Sequence, residues 1–314
     1  MPGALEGIRV LDLTRLLPGA VATQWLAESG AEVIKIEQPS IGDYARDSYA
    51  ALFEQTNRGK KSVEIDLKSD QEAFRKLVRS ADVLIEGFRP GVMDRLGLGY
   101  VNLREVNSRL IYVSLTGYGP DTLLAGHDVN YLAMSGVLDL IRAQDGTPVI
   151  PGVQIADLAG GSMQAVIGIL LALEGRHRTG LGRRVDVSMT HGLEALLPVA
   201  RAGGSDLLSG RYACYHVYAA AENTFVAVGA LESKFWANLC RELGCLELIQ
   251  LQFAADQAAV VALLAEIFIT ATAEVWFERI GALDCCVTPV RIAAQGAAPP
   301  GRAPRLGEHN EEFL

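Results

Sequence analysis

The most constraining feature of this sequence is its opening alternation of branched-aliphatic and helix-like segments. Ile8–Leu13 (IRVLDL) reads as a buried strand, Pro18-Gly19 as a turn and Ala20–Ser29 as a helix. Gly30 is well placed to end that helix, and Val33–Ile36 forms the next strand. A strand, a helix and a strand in so few residues predict a parallel βαβ unit with a right-handed crossover. The alternation continues through a strand at Ser62–Leu67, a helix over Gln71–Ser80, and strands at Val83–Ile85, Leu110–Leu115 and Val185–Val187. These segments predict an α/β fold, a Rossmann-like doubly wound parallel sheet. The first turn carries no G-x-G-x-x-G, so a dinucleotide has no fingerprint here.

Helices are expected over Asp128–Leu140, Asp157–Glu174 and His191–Ala202. The character changes near Gly203. Aromatic strand-like segments, Tyr215–Tyr218 and Phe225–Val228, lead into helices at Lys234–Leu243 and Ala258–Thr270. We therefore expect a large domain over residues 1–205 and a smaller α+β domain over 206–292. A tail over 293–314 would return toward the large domain. The net charge of −9 argues against a dedicated nucleic-acid binder. The five cysteines are odd in number and lack zinc-site spacing, which suits a reduced chain. No signal peptide is read at the N-terminus, and the most apolar run, Ala165–Leu173, is too short to span a bilayer. The expectation is a soluble cytoplasmic protein with no membrane or nucleic-acid partner.

Four constellations could carry chemistry. Gly126-His127-Asp128 lies at a loop-to-helix junction, where Asp128 is a good N-cap and a histidine can transfer protons near neutrality. Unpaired N–H groups in the first turn of that helix would stabilise an oxyanion. Asp157 opens the next helix, and the Gly160-Gly161 pair that follows it lowers helix stability. A bare backbone there implies close approach of a ligand or another chain segment. The helix dipole is expected to keep Asp157 ionised. Glu232 lies between a strand and a helix and would draw no attention on its own. Finally, Arg58, Lys60 and Lys61 precede a strand, while Arg89 and Arg95 follow one. Such cations suit a multi-phosphate ligand, and the position of Arg89 just past a strand end is where α/β sheets bind ligands. No metal site is read, and Ser162 and Ser188 lack nucleophile-elbow surroundings.

From Leu5 to about Val290 the chain resembles the family III CoA-transferase superfamily (CaiB/BaiF type). The resemblance rests on Val10-Leu11-Asp12-Leu13, Gly30-Ala31-Glu32-Val33-Ile34-Lys35-Ile36-Glu37 and Asn57-Arg58-Gly59-Lys60-Lys61-Ser62. It continues through Glu86-Gly87-Phe88-Arg89-Pro90-Gly91 and Thr116-Gly117-Tyr118-Gly119. The segment Ala125-Gly126-His127-Asp128-Val129-Asn130-Tyr131 resembles the α-methylacyl-CoA racemase branch.

The resemblance implies racemisation of 2-methylacyl-CoA thioesters through an enolate. His127 and Asp157 would be the two bases, Glu232 would support the histidine, and the start of the Asp128 helix would hold the thioester oxygen. Arg58, Lys60, Lys61, Arg89, Arg95 and Tyr131 would bind coenzyme A. The coenzyme enters with the substrate, no further cofactor is expected, and the chain would form an interlocked homodimer. The alternatives are a CoA-transferase with Asp157 as nucleophile and a non-catalytic acyl-CoA-binding subunit. The chain departs from the family at Gln38, at His191-Gly192, in its short loop before Ala125, and in an abbreviated stretch after Val290.

Overall fold

The computed structural model describes residues 3–143, 145–293 and 301–314. Two compact units emerge, Met1–Leu196 with Ala297–Leu314, and Leu197–Gly296.

Among the described residues, the first unit is built on a six-stranded sheet: β1 (Arg9–Leu13), β2 (Glu32–Glu37), β3 (Lys61–Glu64), β4 (Val83–Glu86), β5 (Ile111–Thr116) and β6 (Arg184–Ser188). All neighbouring strands are parallel, in the order β3-β2-β1-β4-β5-β6. This is the Rossmann order, and it reverses direction between β1 and β4. The central strands β4 and β5 are buried at every position, as strands covered on both faces require. β6 closes the edge with only Val187 buried, and Arg184 pairs with Asp186 along the strand at 2.8 Å.

Helix α1 (Leu17–Glu28) starts earlier than its apolar pattern suggests, because Pro18 supplies a preset helical φ in its first turn. Gly30 follows at φ +101, and a Cβ there would lie 2.9 Å from the Gly3 Cα. The sequence pattern missed α2 (Ala50–Asn57), a short helix of weak amphipathicity before β3. Then come α3 (Gln71–Arg79) and α4 (Asp128–Ser135), which is shorter than expected because Gly136 ends it in the left-handed conformation.

Helix α5 runs continuously over 24 residues, Ala156–Thr179. Its first eight residues, Ala156–Met163, are π-helical, and the remainder is α-helical. By length and composition α5 could cross a membrane, with 44% of its apolar window buried. The short apolar run read from sequence is thus part of a longer helix, and the argument from its length does not hold.

The expected helix at His191–Ala202 breaks into turns at Met189–Gly192, Leu193–Leu196 and Pro198–Arg201, where Pro198 lacks the N–H a continuous helix needs. Of the predicted tail, residues 294–300 lie outside the described residues. Residues 301–314 run beside β3: the His309 N–H donates to Ser62 O at 3.0 Å, and the Glu64 N–H donates to Asn310 Oδ1 at 2.8 Å.

In the second unit, β7 (Tyr215–Ala219), β8 (Phe225–Gly229) and β9 (Val287–Pro289) form an antiparallel sheet. Helices α6 (Ser233–Glu242), α7 (Ala258–Phe268) and α8 (Ala273–Ile280) complete it. Its core gathers Tyr218, Trp236, Phe268 and Trp276 with Cys214, Cys240, Cys245 and Cys285. Both tryptophans satisfy their N–H groups inside it, Trp236 on Leu248 O at 3.0 Å and Trp276 on Phe268 O at 2.8 Å. All five cysteines are free thiols.

Candidate active site

A cavity of about 740 Å³ opens at the carboxyl ends of the central strands of the first unit. The turn after β1 (Thr14 to Gly19), the turn after β4 (Gly87 to Pro90) and the turn after β5 (Thr116 to Gly119) line it. The crevice therefore sits where the strand order reverses, the position that open α/β sheets use for ligands. His127, Tyr131 and Asp157 line the same cavity.

The residue that caps α4 is His127, not Asp128. His127 has an extended backbone, and Asp128 is the first helical residue. The His127 N–H donates to Asn130 Oδ1 at 3.1 Å, which fixes the turn. The Asp128 carboxylate serves the other helix: its Oδ1 accepts the Asp157 N–H at 2.9 Å. One charged hydrogen bond thus ties the two candidate acid–base segments together. Asp157 itself sits in the first turn of α5, half-buried. The helix start does not hold it at the ordinary carboxylate value, although a carboxyl at about 6 is still mostly ionised at neutral pH. Burial first, and then the Asp128 charge, push its carboxyl up to about 6, while His127 pulls the other way. Loss of hydration outweighs a helix-terminus effect that is typically under 1 kcal/mol.

The glycines after Asp157 are needed for backbone packing. A Cβ on Gly160 would lie 2.2 Å from Met189 O, and one on Gly192 would lie 2.2 Å from Gly160 O. The π-helical turn therefore rests directly on the chain after β6. One of the two expected causes, close approach of another segment, is met here. The Ser162 hydroxyl donates to Pro18 O at 2.6 Å and locks the same turn onto the start of α1. Tyr131 donates its phenolic hydrogen to Gly126 O, packs edge-on against Tyr118 at 5.1 Å, and has its phenol pushed up to about 12 by burial. It shapes the loop that carries His127.

The basic candidates divide sharply. Arg89 lines the cavity. Lys60 does not: its ammonium is fully buried and donates to Thr23 Oγ1 at 2.7 Å, Ala20 O and Asn57 Oδ1 at 2.9 Å, and Asp12 at 3.3 Å. Lys61 pairs with Glu32 at 2.9 Å and with Glu312, beside the C-terminal segment. Arg58 pairs with Glu28 and donates to Gln55 O. Three of the five cations assigned to a ligand are thus engaged by the protein. Arg95 is exposed on the Val92–Arg95 turn and does not line the cavity. Glu232 belongs to the second unit, where it is exposed at the residue before α6.

Sequence reading missed Arg15, an exposed residue of the turn after β1 that lines the cavity. The switch-point rule applied to the first βα turn would have found it, had that turn not been set aside for lacking a dinucleotide fingerprint. No cluster of three or more metal-ligating side chains occurs among the described residues.

The comparisons follow this geometry. The human alpha-methylacyl-CoA racemase is 37% identical over 304 residues, spanning 91% of this chain and 78% of that protein. The acetyl-CoA:oxalate CoA-transferase of Acetobacter aceti is 42% identical over 207 residues, 62% of this chain and 53% of that protein. The crystal structure of Rv3272 from Mycobacterium tuberculosis superposes with a TM-score of 0.82 at 30% identity, covering 100% of this chain and 99% of that one. The profile of CoA-transferase family III matches residues 5–306, and the chain belongs to that family.

Proposed function

We propose that the chain interconverts the two configurations at the α-carbon of 2-methylacyl-CoA thioesters, with His127 and Asp157 as its two bases. The observation that carries this reading is that an imidazole and a desolvated carboxyl, from segments joined by the Asp128 hydrogen bond, line one cavity. One base takes the α-proton, and the C–H electron pair moves onto the thioester oxygen as an enolate. The conjugate acid of the opposite base returns a proton to the other face. The thioester oxygen is assigned to the start of α4, where first-turn N–H groups favour developing negative charge. A carboxyl raised to about 6 suits proton transfer near neutral pH. Similarity to the human racemase over 91% of the chain supports this reading, against 62% for the transferase relative.

The second reading is CoA transfer, favoured by the 42% identity to the Acetobacter enzyme. There the Asp157 carboxylate would attack the thioester carbonyl and expel the CoA thiolate, forming a mixed anhydride. Incubating the protein with 2-methylacyl-CoA in deuterated water decides between them. Racemisation requires deuterium at the α-carbon and a loss of roughly 10²–10⁴-fold in exchange for His127→Ala. Absence of exchange, with a hydroxylamine-sensitive enzyme–CoA thioester instead, would leave only transfer.

An interlocked homodimer completes the proposal. The outward side of α5 exposes Met163, Ile167 and Leu171 at 48, 49 and 68%, an apolar stripe suited to a second copy. Sedimentation at twice the chain mass is expected, and a monomer mass at micromolar concentration would remove the dimer.

A further inference from the structure

Beneath the turn that joins β1 to α1 lie four ionisable side chains withdrawn from solvent: Asp12, Lys35, Asp43 and Lys60. Lys35 pairs with Asp43 at 3.0 Å and donates to Thr14 O at 2.8 Å. The Asp12 Oδ1 accepts both the Thr14 N–H at 2.9 Å and the Thr14 hydroxyl at 2.6 Å. Lys60 ties Asp12 to α1 through Ala20 O and Thr23 Oγ1. From the opposite side Ser162 holds Pro18 O. Between these anchors Leu16 adopts φ 57 and ψ −153, a backbone region that side-chain-bearing residues rarely occupy. Burying four charges and straining one residue are both unfavourable in isolation. Together they hold one short turn in one conformation.

That rigid turn presents Arg15 to the cavity. Its guanidinium carbon lies 6.0 Å from the centroid of the Phe88 ring, and its charge bears on the Tyr44 phenol. Among the described residues, no carboxylate is shown pairing with Arg15 or Arg89, and both line the same cavity. Two uncompensated guanidiniums at one switch point form a receptor for phosphate oxygens, which arginine grips bidentately. Holding one of them on an over-determined turn removes much of the ordering penalty of binding.

We propose that Arg15 is the residue that selects a phosphorylated thioester carrier, gripping its phosphates alongside Arg89. The inference rests on the CoA-thioester reading above and adds to it a specificity-determining residue that the basic motifs of the sequence do not contain.

Calorimetric titration of wild type, Arg15→Gln and Arg15→Lys with coenzyme A and with pantetheine, which lacks every phosphate, tests it. Arg15→Gln should weaken coenzyme A roughly 10–100-fold and leave pantetheine within about twofold, whereas Arg15→Lys should recover part of the loss. Equal coenzyme A affinity in wild type and Arg15→Gln overturns the inference while the broader reading stands. Parallel loss for both ligands overturns it too, since that marks a structural role. Wild type that binds no coenzyme A sinks the broader reading itself. Should Arg15→Gln fail to fold, Arg15→Lys decides: it should bind coenzyme A several-fold more weakly than wild type with pantetheine unchanged, and wild-type affinity for both ligands, or equal weakening of both, overturns the inference.

Discussion

The two units bury their interiors in different ways. The second fills its core with aromatic and aliphatic side chains and four thiols, and its candidate Glu232 stands exposed at a helix start. The first carries fully buried ions directly under the turn that lines its cavity. Well-packed apolar residues usually stabilise as well as, or better than, a buried ion pair. The ions of the first unit are therefore better explained by what they position. Asp12 shows how tightly they are coupled. Burial opposes its ionisation, yet Lys35 and Lys60 hold its carboxyl down at about 2. Lys60 yields to burial and is lowered to about 8.

This contrast can be broken by substitution. Lys60→Met should cost about 3–5 kcal/mol, because it leaves the Asp12 carboxylate short of a partner. Adding Asp12→Asn should restore most of that stability, because its amide oxygen still accepts from Thr14, without restoring ligand affinity, since the Lys60 bonds to Ala20 O and Thr23 Oγ1 that tie the turn to α1 are still missing. Urea unfolding and a coenzyme A titration on the same proteins check both halves. A double variant that binds as wild type does would show that the ions contribute nothing to the cavity.

A smaller effect sharpens the picture at Asp128. In the direction in which Asp157 takes the α-proton, exchange should rise with pH through about 6, as its raised carboxyl ionises. Asp128→Asn keeps an oxygen for the Asp157 N–H but removes the charge that opposes ionisation. The acid limb of kcat/KM should then move to lower pH, by up to about one unit. An unmoved limb would assign the titration to another group.

The α/β alternation was legible because each segment carries its own period and punctuation: aliphatic runs for β1, β2, β4 and β5, and Gly30 as a stop. Helix α2 was not, since neither its length nor its pattern stands out. The site was legible in part. His127, Asp157 and Arg89 meet at one cavity, as their motifs suggested. Lys60, Lys61 and Arg58 were misread because a lysine or arginine in a motif looks the same whether it faces a ligand or an acidic side chain. Their partners lie far off along the chain: Asp12 is 48 residues from Lys60, and Glu312 is 251 from Lys61.

The sequence alone settled the strand–helix rhythm and the family, both written in contiguous residues. Tertiary structure decided which cations remain free, which residue caps α4, and which way Asp157 titrates. Those depend on desolvation and on the charges of residues remote in sequence, and neither exists until the chain has closed around them.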